Sequence, residues 1–140
     1  MLTERAQLGL VGLMGALRCT IGAVGIARPA LLGRFSGLDR VTAERTDWLT
    51  RMAAIRDLSL GAGQLVTAVR RPVGASKLAD ARLWVMVGAL ADAGDTAALG
   101  TATATGRVAP ARGTLMSLAA AAAVLGALPI LTARGEATDA

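Results

Sequence analysis

From Gly113 to Ala133 the chain runs 21 consecutive residues without an ionisable side chain, and its middle, Leu118 to Leu125, is five alanines and a valine between two leucines. Roughly 20 apolar residues carry a helix across a hydrocarbon core about 30 Å thick, so a run of this length limits the possible folds severely. Three further stretches repeat the theme with interruptions. Ala6–Ala27 is broken only by Arg18, Met52–Val69 by Arg56 and Asp57, and Leu83–Gly106 by Asp92 and Asp95. The pattern predicts an all-α protein, a single integral membrane four-helix bundle with spans near 6–27, 52–69, 83–106 and 113–133. A water-soluble, alanine-rich bundle would also show four apolar segments, but its helices should carry charge on their outer faces every three or four residues. Charged residues make up only 18% of this chain and hydrophobic ones 54%, and the apolar character runs all the way round.

The connections agree with four spans. Arg28-Pro29 closes the first helix, because the residue before a proline is pushed out of helical conformation. The connection 28–51 is too long for plain loop in a compact bundle and is expected to hold a short interfacial helix, with Trp48 and several arginines at headgroup level. Arg70-Arg71-Pro72 ends the second span, Ser76 or Asp80 can cap the third, and Gly106 to Gly113 makes the last turn. Gly135–Ala140 is a frayed tail. The start of the chain is weakly basic and its apolar run outlasts a signal-peptide h-region, so the first stretch reads as a retained span. Four spans put both termini on one side. Arg5, Arg70, Arg71, Lys77, Arg82 and Arg134 then face seven arginines at positions 28, 34, 40, 45, 51, 107 and 112, a balance that leaves the orientation open.

Composition removes several chemistries. The chain has no His and one Cys, which excludes an intrachain disulfide, a Cys/His zinc site, a His-ligated haem and a His-based triad. Cys19 reads as a small packing residue. Gly9, Gly12 and Gly15 recur every third residue but precede no Lys-Ser/Thr, so they form no phosphate loop. No cofactor and no metal are expected, since Asp92 and Asp95 alone supply too few ligands. The net charge of +5 is spread in short groups between apolar stretches. That is the distribution of membrane flanks, and it points to no nucleic-acid partner.

What remains is the set of ionisable residues inside the spans, which are functional-site candidates by default. At about 1.5 Å of rise per residue, Arg18, Asp57 and Asp95 are displaced toward the same side of the membrane, within a slab roughly 5 Å thick. Arg56 and Asp92 lie close by. Arg18 shares a stripe with Gly15, Gly22 and Gly25; Asp57 aligns with Ala53, Gly61 and Gln64; Asp92 and Asp95 align with Gly88 and Leu99. Small residues let helices approach closely in lipid, and polar side chains then bridge between them. One buried cluster of Arg18, Arg56, Asp57, Asp92 and Asp95, lined by Gln64, is the expectation, with Arg18 hydrogen-bonded to at least one of the aspartates. A purely structural cluster would fix helix register. Two Arg against three Asp leaves one carboxylate over, which equally fits a proton or cation site, or a small-ligand pocket. With no catalytic constellation, the expected function is a non-enzymatic accessory or structural subunit of a larger membrane complex, in contact with lipid and with further copies or other membrane subunits.

Arg18-x-x-x-Gly22 with Pro29, then Gly37-Leu38-Asp39, then Arg51-Met-Ala-Ala-Ile-Arg56-Asp-Leu-Ser-Leu-Gly61, and finally Asp92 with Asp95, together resemble small four-span bacterial membrane proteins with a DoxX-like outline. The resemblance covers nearly the whole chain. It implies a multi-pass protein of the bacterial cytoplasmic membrane. Some DoxX-like proteins are associated with quinone-linked or redox membrane complexes, which makes a quinone-linked redox subunit a further alternative, although the chain supplies no redox ligand set.

Overall fold

The computed structural model describes residues 3–70 and 77–132, and among them every regular element is a helix. In chain order these are α1 (Glu4–Ala27), α2 (Pro29–Phe35), α3 (Arg40–Arg45), α4 (Asp47–Val69), α5 (Lys77–Ala104) and α6 (Pro110–Leu131). Local chemistry sets most boundaries. The Thr3 hydroxyl accepts from the Ala6 amide and starts α1, and Asp39 does the same for Thr42 at the head of α3, each satisfying a donor that the first helical turn leaves unpaired. Pro29 and Pro110 stand in the first turn of α2 and α6, where the missing N–H costs nothing. Gly37 at φ 101° and Gly106 at φ 71° reverse the chain in a conformation that suits glycine.

Several boundaries differ from the sequence expectation. The connection 28–51 holds two short helices, and the second long helix begins at Asp47 within it. An acidic residue in the first turn complements the helix dipole, so the helix starts upstream of the apolar run. Likewise α5 begins at Lys77, and Asp80 lies in its first turn. Pro110 opens α6, which takes Arg112 and Gly113 out of the expected turn and into the helix. Arg71, Pro72, Ser76 and the 135–140 tail lie outside the described residues.

The four long helices pack as two main pairs, α1 on α4 and α5 on α6, joined by α4 against α5. The α1–α4 seam is glycine-tight. A Cβ on Gly15 would fall 2.8 Å from the Gly61 carbonyl, one on Gly61 2.6 Å from the Gly15 carbonyl, and one on Gly22 2.6 Å from the Ala54 carbonyl. Backbones approach this closely only where side chains are absent. Elsewhere Val11, Ala81, Val85, Ala127 and Ile130 form an apolar core cluster contributed by α1, α5 and α6.

Polar residues share the interior with this apolar cluster, and large aliphatic side chains lie outside it. Gln7, Arg18, Gln64, Thr67 and Asp92 are buried, whereas Leu17 (57% exposed), Leu90 (67%), Leu118 (63%) and Leu125 (65%) point outward. Two helical stretches, Arg5–Ala27 and Pro110–Leu131, are long and apolar enough to cross a membrane. The other two long helices, α4 and α5, carry Arg56, Asp57, Asp92 and Asp95, and these lower their hydropathy.

Candidate functional site

The glycine stripe of α1 positions the site. With Gly15, Gly22 and Gly25 pressed on α4, Arg18 on the same face is held at the junction of α1, α4 and α5, with only 10% of its side chain exposed. Its Nη1 donates to Asp57 Oδ1 at 3.1 Å, and its Nη2 donates both to the Gly88 carbonyl at 3.1 Å and to Asp92 Oδ2. Arg18 is thus bonded to side chains on two neighbouring helices and to one backbone carbonyl.

Arg56 continues the network. Its two terminal nitrogens form a fork on Asp95, Nη1 to Oδ1 at 3.1 Å and Nη2 to Oδ2 at 2.7 Å, the planar two-point match that guanidinium and carboxylate favour. Nη2 also donates to Asp57 Oδ1 at 3.3 Å, so one oxygen of Asp57 accepts from both arginines. The five charges therefore form one alternating chain, Asp92–Arg18–Asp57–Arg56–Asp95, with a carboxylate at each end. Exposure rises along it, from 10% and 11% for Arg18 and Asp92, through 19% for Asp57, to 37% and 41% for Arg56 and Asp95.

Gln64 is fully buried beside this chain. Its Nε2 lies 3.5 Å from the Trp84 carbonyl, while its Oε1 has no hydrogen-bond partner. Gly88 makes room for both neighbours, because a Cβ there would fall 3.1 Å from Gln64 Nε2 and 3.2 Å from Arg18 Nη2. All six residues singled out by the sequence thus lie on or beside one site. Cys19 is partly buried, with Sγ 3.8 Å from the Leu58 carbonyl.

Sequence reasoning missed the backbone's share. It placed Gly88 on the Asp92 face as a small residue, but not as the carbonyl that Arg18 binds. Two further arginines close helix ends: Arg51 donates to the Ile26 carbonyl, and Arg112 Nη1 to the Arg34 carbonyl at 2.7 Å. Both satisfy carbonyls near helix C-termini, a pairing across the fold that leaves no local mark in the sequence. Among the described residues, no group of three His, Cys, Asp or Glu side chains is arranged to hold a metal ion. Comparison with known protein families, curated proteins and solved structures gives no match.

Proposed function

We propose that this chain is a four-span integral membrane protein of the bacterial cytoplasmic membrane, acting as a non-enzymatic accessory or structural subunit of a larger membrane assembly. The observation that carries the reading is the inside-out partition: a charged network in the middle of the bundle and large aliphatic side chains on its outside. Apolar surface of this extent is rare on soluble monomers, while intramembrane charges characteristically face a bundle interior and pair with one another. Pairing also answers the hydropathy of α4 and α5, whose charges are largely spent on each other and on Arg18. The α2–α3 elbow and the first turn of α4 suit the membrane interface, with Phe35, Val41 and Trp48 exposed beside Arg34, Arg40 and Arg45. The DoxX-like resemblance of the Arg18 and Arg51–Gly61 stretches supports the same architecture.

Expression followed by alkaline extraction tests the membrane part, with the protein expected to stay in the pellet. High-yield recovery as a monodisperse monomer in plain buffer contradicts it. For the accessory role, purification from native membranes in mild detergent should bring other subunits in stoichiometric amount, and recovery of this chain alone contradicts it.

A second reading, a small proton- or ion-coupled carrier, is favoured by one observation: the charge chain has three carboxylates to two guanidiniums and grows steadily more exposed toward Asp95. Flux into proteoliposomes that persists in D57N/D92N/D95N rules it out.

A further inference from the structure

The charge chain is closed at one end and open at the other. Asp95 sits nine residues inside the end of α5 at Ala104, about 14 Å along the axis, and it is bonded to Arg56, four residues inside the apolar stretch that opens at Met52. Their side chains are nonetheless 37% and 41% exposed. At that depth the short Asp95 side chain does not reach the interface by stretching along its helix. In a lone copy within a bilayer this ion pair would face hydrocarbon, which is costly for charged groups. Around it the small side chains Ala53, Ser59 and Ala98 are exposed beside the larger Met52 and Ile55, and the small ones leave room for another helix to approach closely.

The two charges lie side by side at the same depth, on adjacent helices. A pair so arranged complements itself. When two copies face each other across a twofold axis parallel to the membrane normal, Arg56 of each lies opposite Asp95 of the other, and four charges close into an alternating ring. We propose, on the membrane reading above, that the Arg56–Asp95 window is a homodimer interface occupied by a second copy of this chain. A twofold contact uses the same patch twice, and this patch is small, polar at its centre and self-complementary in charge.

The test is single-molecule photobleaching of the singly labelled full-length chain, diluted into phospholipid vesicles. The wild type is expected to float with the vesicles and bleach in two steps. R56L/D95L, which makes the window apolar and leaves Arg18, Asp57 and Asp92 in place, should lower the dimer-to-monomer ratio roughly ten-fold, the order expected for interhelical polar contacts in lipid. Where that variant fails to insert, D95N serves, with the same direction of change. An unchanged dimer fraction in an inserted variant overturns the proposal. So does one-step bleaching of the wild type, which would leave lipid, water or an unrelated subunit at the window. Failure of the wild type to float overturns the membrane reading and the dimer with it, whereas floating with one-step bleaching overturns the dimer alone.

Discussion

Arg18 and Arg56 present the same guanidinium at similar depth, share an oxygen of Asp57, and live in different surroundings. Arg18 is enclosed by three helices and bonds two carboxylates and a carbonyl. Arg56 forks onto one aspartate at a half-open edge. The difference separates two uses of buried charge. An enclosed ion has no alternative partner, so its loss strands the carboxylates around it and the bundle suffers. A half-open pair can trade its partners for water or a neighbouring chain, so its loss is felt mainly in association.

The comparison is broken most easily at Arg18. Replacing it with Leu leaves Asp92 without a cation and Asp57 with Arg56 alone, and should destabilise the fold by about 3–5 kcal/mol, the range for removing one member of a buried ionic set. Unfolding in mixed micelles measures this. R18L/D57N/D92N should recover a good part of the loss, because no stranded charge remains. Equal stability losses in R18L and R56L would erase the distinction.

The next largest effect sharpens the reason Arg18 is held so well. Gly22→Ala puts a Cβ against the Ala54 carbonyl and the Leu58 amide and should cost about 1–3 kcal/mol through overpacking. Gly9 has no neighbouring atom within 4 Å of its Cβ position. Gly9→Ala should therefore be neutral or slightly stabilising through helix propensity, and the same unfolding assay reads both. Arg56→Leu comes third. Asp57 keeps Arg18 and only Asp95 loses its partner, so single-chain stability should fall by about 1 kcal/mol, the order for interhelical polar contacts in lipid.

The smallest effect lies outside the spans. Asp39 caps α3 on the surface, and the Thr42 hydroxyl and amide hold its carboxyl below the ordinary 3.8. A lowered value in the folded state means that the contribution is complete above pH 3.8 and fades as pH falls through the lowered value. Protection of the Thr42 amide, its exchange measured against the intrinsic rate at each pH, should therefore fall in that acid window, with α1 unaffected. In D39A the exchange should be fast and lack this step.

Much of this was legible in the sequence because hydropathy and depth are one-dimensional. The lengths of the apolar runs located four long helices, and counting residues from their ends put Arg18, Asp57 and Asp95 in one slab. The rotation of each helix about its axis is not one-dimensional, and it decides who pairs with whom. Asp92 and Asp95 are neighbours on α5, yet one turns to Arg18 and the other to Arg56. Helix starts were also poorly marked by hydropathy: α4 and α5 begin in polar sequence, with Asp47 and Asp80 in their first turns, and the split of the connection into α2 and α3 depends on Gly37 and the Asp39 cap.

Four spans require the outward faces of α4 and α5 to lie in lipid although these two helices carry four of the five charges of the network. Nitroxide labels at Ile55 and Leu90, 55% and 67% exposed, test it directly when introduced one at a time as cysteines into C19S protein reconstituted in phospholipid vesicles. Each label should relax more with oxygen, which concentrates in hydrocarbon, than with a water-soluble nickel chelate. Greater relaxation by the chelate at both sites would place these faces in water and contradict the four-span reading.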